Sequence, residues 1–237
     1  DKTQSYNRLK KNNQTRYEKN RNFEPNLKMM YRVAVIGATG LVGRKMLQVL
    51  EEQAFPVREV IPVASGRSAG KSMIAGNREL LIRTVEEAIA MKPDIAVFSA
   101  GKEVSLEYAE DFAANGCYVI DNSSAWRRYD KVPLVVPEVN GDHIKKDNFI
   151  IANPNCSTIQ LVLAMAPLHR TYRLKRLVIA TYQSVTGSGI KGQTQLMEEQ
   201  RGITNGEKCY PHPIHMNIIP QGGGFLPNGY TSEEDKL

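Results

Sequence analysis

Between Tyr31 and Leu50 the chain passes from a short β-branched apolar run, Tyr31-Arg32-Val33-Ala34-Val35-Ile36, through Gly37-Ala38-Thr39-Gly40-Leu41-Val42-Gly43 into a helical pattern carried by Met46, Leu47, Val49 and Leu50. This strand, glycine turn and helix constrain the fold more than any other stretch. Glycine tightens the turn and lets backbone N–H groups approach a pyrophosphate at the helix N-terminus, where the helix dipole favours negative charge. A lone G-x-x-G-x-x-G is a weak signal, and an ordinary strand–helix turn is the plainer reading. The flanking strand and helix point instead to a dinucleotide cradle built from Gly37, Thr39, Gly40, Leu41, Val42 and Gly43.

A second strand, Val57 to Ala64, runs into Ser65-Gly66-Arg67-Ser68-Ala69-Gly70-Lys71. A strand in this place often ends on Asp or Glu, which binds the ribose hydroxyls of NAD. A carboxylate would repel a 2′-phosphate, whereas Arg67 can clamp one and Ser65 and Ser68 can add hydroxyl donors. NADP is therefore expected over NAD; the alternative is a solvated basic loop. Thr84 to Met91 then reads as a helix and Pro93 to Gly101 as a strand. Ser105 to Asn115 reads as a helix stopped by Gly116, and Tyr118 to Asp121 as a strand. Strands alternating with helices predict an α/β fold, a doubly wound parallel sheet of Rossmann type. Ligands of such sheets bind beyond the carboxyl ends of the strands.

Cys156 falls on that rim. It lies in Asn153-Pro154-Asn155-Cys156-Ser157-Thr158, between the strand-like Phe149-Ile150-Ile151-Ala152 and the helix-like run Ile159 to Ala166. A sulfur in the first turn of a helix meets unpaired N–H groups and the positive end of the dipole, which favour the thiolate. A thiolate attacks carbonyl carbon; the competing reading is a buried structural cysteine. Arg127 and Arg128 follow the polar loop Asp121-Asn122-Ser123-Ser124, so either could bind an anion on the rim or lie on a solvated surface.

Composition excludes several classes. The three cysteines, Cys117, Cys156 and Cys209, are few and widely spaced, which suits neither a disulfide framework nor a metal cluster and fits a reducing, cytoplasmic setting. No apolar stretch approaches the ~18–20 residues that span a bilayer. The net charge of +6 suggests nucleic acid until it is divided: residues 1–29 hold eight Lys/Arg and three acids, the other 208 residues 23 and 22. The basic character belongs to a tail over 1–29 that is too poor in apolar residues to pack and is expected to be disordered, and the body is close to neutral. Met29 or Met30 is the natural start expected for the folded part. Neither a nucleic-acid nor a membrane partner is expected.

Several separated strings agree with one family. Val35-Ile36-Gly37-Ala38-Thr39-Gly40, Arg67-Ser68-Ala69-Gly70-Lys71, Phe98-Ser99-Ala100-Gly101, Val132 to Asn140, Asn153 to Thr158 and Thr181-Tyr182-Gln183 resemble, in order and spacing, the aspartate-semialdehyde dehydrogenases of bacterial type. The resemblance covers about seven-eighths of this chain and about the first two-thirds of a full-length member. It implies NADPH-dependent conversion of aspartyl phosphate to aspartate 4-semialdehyde with release of phosphate, a step of amino-acid biosynthesis, and a homodimer at full length. By position it implies Cys156 as the nucleophile that forms an acyl-thioester, Asn155 as its neighbour, and Gln183 as the residue that orients the substrate. It also implies Arg127 and Lys236 on the phosphate, Glu233 on the substrate amino group, and Thr186 and Gly187 among the cofactor contacts. The domains expected are 30–155 for the NADP-binding part and 156–237 for an incomplete α+β catalytic and dimerisation part.

The sequence also departs from the family. None of its four histidines, His143, His169, His212 and His215, stands in the family's later Arg-x-Pro-Val-x-x-Gly-His-Ser segment. The chain therefore reads as ending before that segment and, as a fragment, is expected to be nearly inactive and prone to aggregate. Gly222-Gly223-Gly224 replaces an apolar strand, and Asp235 replaces an apolar residue inside the Glu233-x-x-Lys236 spacing. His212 and His215, flanked by Pro211 and Pro213, read as a loop and not as a metal pair. Two rivals remain. N-acetyl-γ-glutamyl-phosphate reductase shares the chemistry, but its cysteine motif usually carries Gly before and Tyr after the cysteine, unlike Asn155 and Ser157. A non-catalytic NADP-binding protein is the other.

Overall fold

The computed structural model describes residues 30–236, the side chain of Lys236 excepted; the expectations for the tail over 1–29 lie outside the described residues. Strand β1 (Tyr31–Ile36) leads to helix α1 (Leu41–Glu52) and strand β2 (Val57–Val63). A two-stranded hairpin follows, β3 (Ser72–Ala75) with β4 (Arg78–Leu81). Next come α2 (Val85–Ala90), β5 (Ile95–Phe98), α3 (Lys102–Ala114) and β6 (Tyr118–Asp121). The one-turn helix α4 (Pro137–Asn140) precedes β7 (Ile150–Ala152), and the helices α5 (Cys156–Tyr172) and α6 (Gly189–Gln200) complete the regular elements of any length.

Five strands form one parallel sheet in the order β2-β1-β5-β6-β7. Val33, Ala34, Val35 and Ile36 of β1 are all buried, as a strand with neighbours on both edges and helices on both faces requires. Alternation along the strand sends Val33 and Val35 to one face, where they pack with Leu47 of α1 and Met73 of the hairpin. Ala34 and Ile36 go to the other, with Phe98, Phe112 and Val119 under α2 and α3. There Phe98 and Phe112 meet edge to face, with centroids 5.5 Å apart. Because β1 has β2 on one side and β5 on the other, the crevice where the winding reverses opens beside its glycine turn.

The α/β class and the doubly wound parallel sheet expected from the sequence are present, with shifts in detail. Helix α3 begins at Lys102 and not at Ser105, because Gly101, at φ +99°, turns the chain straight into it. Thr84 caps α2 in a reciprocal capping box with Glu87. Helix α5 runs well past Ala166, through Pro167, to Tyr172. Neither the β3–β4 hairpin nor α6 was anticipated. Among the described residues after β7 the only strand-like pairing is the bridge between Phe225 and Thr231. The apolar stretch Leu177-Val178-Ile179 carries no regular structure and is exposed. No described helix is long and apolar enough to cross a membrane.

Candidate active site

The carboxyl ends of the strands are stitched into one rim by hydrogen bonds that pass from strand to strand. Gly37 N and Ala38 N donate to Val63 O at 2.9 and 3.0 Å. Ser99 donates to Ile36 O through its backbone N–H at 2.9 Å and its hydroxyl at 3.1 Å. Asn122 N donates to Phe98 O at 3.1 Å, and Asn153 N to Asp121 O at 2.8 Å. Asn153 Nδ2 also donates to Asn122 Oδ1. Along this edge the glycine turn follows β1 and the cysteine follows β7, three strand spacings or roughly 14 Å apart.

The residues of the glycine turn fit a dinucleotide. Gly37 holds φ +88°, and a Cβ there would lie 2.9 Å from the Ser99 carbonyl oxygen; a Cβ on Gly43 would run into the Gly37 carbonyl oxygen. The turn is thus closed against β5 and α1 as only glycine permits. Gly40 caps α1 without a side-chain hydrogen bond, so among the described residues no capping side chain takes up the first N–H groups of that helix. Thr39 lends its carbonyl oxygen to Arg44 Nε at 3.2 Å. Just beyond β2, Ser65 O accepts from Ser68 N at 2.8 Å and from Ala69 N at 3.2 Å, folding the loop into a turn. Arg67 is exposed on that turn and has no hydrogen-bond or ion-pair partner among the described residues.

At the other end of the rim Cys156 is the first residue of α5, and its side chain is exposed. Asn155 is the N-cap: its Oδ1 accepts from Ser157 N at 2.9 Å. Its Nδ2 donates to Glu233 Oε1 at 2.7 Å, across 78 positions of sequence. Arg127 is half-buried. Its Nε donates to Asn153 O and its Nη2 to Asn122 O, each at 2.9 Å, which leaves its other N–H groups without an acceptor among the described residues. Burial pulls the Arg127 pKa below its ordinary value, while the charges of Asp121, Cys156 and Glu233 oppose that shift. An arginine stays protonated under such a shift, so a guanidinium stands within electrostatic reach of both the sulfur and the Glu233 carboxylate. Asp121 behind it is fully buried and accepts from Ser123 N at 3.1 Å and Ser123 Oγ at 2.7 Å.

Cys156, Asn155, Arg127 and Glu233 therefore converge, with the Gly37–Gly43 turn and the Ser65–Ser68 turn farther along the same rim. Arg128 instead turns outward and pairs with Asp235. Gln183 is exposed on an irregular stretch and takes no part in the hydrogen bonding around Cys156 among the described residues. Thr186 and Gly187 lie in the single turn Val185–Ser188; Thr186 Oγ1 and N both reach Ser184 Oγ, and Gly187 N reaches Ser184 O. The expected role of Lys236 rests on a side chain outside the described atoms.

No sequence pattern points to the buried Gln195. Its Oε1 accepts from Cys209 N and Tyr210 N at 2.7 and 2.8 Å, and its Nε2 donates to Glu199 Oε1 at 2.8 Å. Glu199 Oε2 in turn accepts from Ile214 N and His215 N, each at 2.8 Å. Those bonds hold the Glu199 pKa below the usual carboxylate value, the Gln195 contact contributing most. Tyr210 Oη donates to Ser188 Oγ at 2.7 Å, tying the clasped loop to the turn that carries Thr186 and Gly187.

Residues 32–147 match the NAD-binding domain of semialdehyde dehydrogenases, and residues 165–237 match the semialdehyde dehydrogenase dimerisation domain. Over 217 residues the chain is 47 % identical to the aspartate-semialdehyde dehydrogenase of Aquifex aeolicus, covering 88 % of this chain and 64 % of that one. The crystal structure of aspartate semialdehyde dehydrogenase II from Vibrio cholerae complexed with ASA superposes with a TM-score of 0.82 at 41 % identity, covering 88 % of this chain and 64 % of that one. The aspartate semialdehyde dehydrogenase of Candida albicans, solved with NADP, superposes with a TM-score of 0.53 at 27 % identity, covering 62 % and 48 %. The chain thus spans less than two thirds of the length of these relatives. On the domain matches, the identity and the shared fold together, the chain belongs to the aspartate-semialdehyde dehydrogenase family.

Proposed function

We propose that this chain supplies the NADPH cradle, the nucleophile and the anion site for reductive dephosphorylation of aspartyl phosphate to aspartate 4-semialdehyde. The observation that carries the reading is the exposed Cys156 at the mouth of α5, beside the Arg127 guanidinium and on the same rim as the glycine turn. NADP is favoured over NAD by Arg67, Ser65 and Ser68 on a turn that carries no carboxylate, and by the Candida albicans relative solved with NADP.

The Cys156 thiolate attacks the acyl carbon, the carbon–oxygen bond to phosphate breaks, and phosphate departs with the electron pair. The open N–H groups of Arg127 face the charge that builds on that leaving group. Asn155 fixes the first turn of α5, so the sulfur meets the acyl carbon without reorganising the chain. When bound, the dinucleotide supplies the hydride that reduces the thioester. The carbon–sulfur bond then breaks, returning the thiolate and releasing the aldehyde. Glu233, beside Asn155, suits the substrate ammonium; Gln183 is assigned to substrate orientation, Lys236 to phosphate, and Thr186 and Gly187 to the cofactor. The match of residues 165–237 to a dimerisation domain supports a homodimer. No histidine of residues 1–237 stands in the family's Gly-His-Ser context, and proton transfer is worth about 10²–10⁴-fold, so turnover by the 237-residue chain alone is expected to be very low.

Thiol labelling tests the assignment. Iodoacetamide at pH 7, read by peptide mass mapping, is expected to modify Cys156 well before Cys117, whose thiol burial pushes up to about 12. Cys156→Ala should lose that label and still bind NADPH in a fluorescence titration; the same change in a full-length relative should abolish turnover. Turnover that survives it would overturn the nucleophile assignment.

A further inference from the structure

Glu233 reaches Asn155 from a short hairpin whose shape depends on the glycine run. Ser232 N donates to Gly224 O at 2.8 Å and Glu233 N to Gly222 O at 3.1 Å, next to the antiparallel bridge between Phe225 and Thr231. A Cβ on Gly222 would lie 2.8 Å from the Glu233 Cβ, and one on Gly223, at φ +78°, would overlap the Ser232 hydroxyl. Glycine at 222 and 223 is thus what allows the two arms to close. On the returning arm of the hairpin, buried Thr231 donates through its N–H and hydroxyl to Glu234 Oε2 at 2.6 and 2.7 Å, shaping the turn Glu234–Lys236. That turn delivers Asp235 to Arg128, across 107 positions of sequence. Glu234 and Asp235 are exposed, so the turn has little apolar seat, and polar contacts hold it to the rim.

We propose that the Arg128–Asp235 ion pair is a positioning latch that holds the 231–236 turn against the rim and thereby keeps the Glu233 carboxylate on Asn155 at the mouth of the Cys156 helix. Neither member of the pair is a catalytic residue. Arg127 is fixed to the rim by two backbone carbonyls and serves the site, while its neighbour Arg128 fixes the segment that carries Glu233. The latch rests on the reading of Cys156 as an accessible nucleophile, and its test separates the two.

The test compares alkylation of Cys156 by anionic iodoacetate and neutral iodoacetamide in the 237-residue chain at low salt, by peptide mass mapping. The ratio of the two rates cancels the ionisation of the thiol and reports the charge held beside the sulfur. Removing the carboxylate by Glu233→Gln should raise the ratio about two- to five-fold, the scale of one exposed charge pair. Arg128→Gln and Asp235→Asn should each move the ratio upward, toward the Glu233→Gln value, although one substitution removes a positive and the other a negative charge. Neither should change it further in a Glu233→Gln background. Arg128→Asp with Asp235→Arg, which restores the pair in reverse, should bring the ratio back. Opposite shifts from the two single variants would mean that only their own charges are felt, and would overturn the latch, as would no shift in either variant or in Glu233→Gln. Variants that melt early would point to a structural role, and recovery of the ratio by the reversed pair at an unchanged melting temperature would count against it. A Cys156 that resists both reagents in the unsubstituted chain would overturn the nucleophile reading itself, and the latch with it.

Discussion

Arg67 is the charge on which the proposed preference for NADP rests. It stands exposed on the turn beyond β2, next to the strand end whose Val63 carbonyl receives the glycine turn, and has no acidic partner among the described residues. Arg67→Asp should weaken NADPH binding about 10- to 100-fold, the worth of a charge-assisted hydrogen bond, and leave NADH nearly unaffected; fluorescence titration of both cofactors checks this, and equal losses would sink the assignment. Its place on a turn without a carboxylate was legible, because both are facts of a short stretch of sequence. Cys156 and Asn155 were legible for a similar reason, since a helix start is written within a few residues. Arg127 and Arg128 were not separable, because what distinguishes them is distant. The Trp126 indole is buried and donates to Ser105 Oγ at 2.9 Å, which fixes the phase of the loop and sends Arg127 toward the backbone carbonyls of Asn122 and Asn153, with Arg128 facing out.

At the scale of elements, α6 works as a clasp. Gln195 and Glu199, one helical turn apart, gather four backbone N–H groups from the 209–215 loop, and Tyr210 passes that order on to the turn bearing Thr186 and Gly187. Gln195→Leu leaves the N–H groups of Cys209 and Tyr210 without their acceptor, which should cost about 2 kcal/mol of stability. Urea unfolding measures that loss. Faster hydrogen exchange at residues 209–215 would localise it, whereas unchanged exchange there would mean the clasp is ornamental. Nothing in the sequence announced these partners, because a glutamine that binds main-chain N–H groups leaves no complementary side chain to be noticed. The β3–β4 hairpin escaped for another reason. It is short, and Ile74 and Leu81 point to solvent, so it lacks the buried periodicity that exposed β1, β2 and β5.

Across the whole molecule the two parts differ in how well they bury apolar surface. The sheet and its helices enclose two apolar clusters, whereas Leu177, Val178, Ile179 and Tyr182 lie exposed, Val178 at 83 % and Tyr182 at 85 %. An exposed apolar stretch is a template for association. Val178→Lys should therefore raise the concentration at which light scattering detects oligomers, with little change in melting temperature; an unchanged threshold would acquit the stretch. The rim has a different bearing on the molecule. Its stitches run mainly from main chain to main chain between strand ends, so the gap from cradle to sulfur is counted in strands and survives drift in the surrounding side chains. On the proposed reading the edge would act as a gauge of length: a mononucleotide seated on the glycines would stop short of Cys156, and a two-headed ligand laid along the edge would bring its far ring to the thiol. On that reading, size would be sorted by the weave of the backbone before any side chain inspects the chemistry.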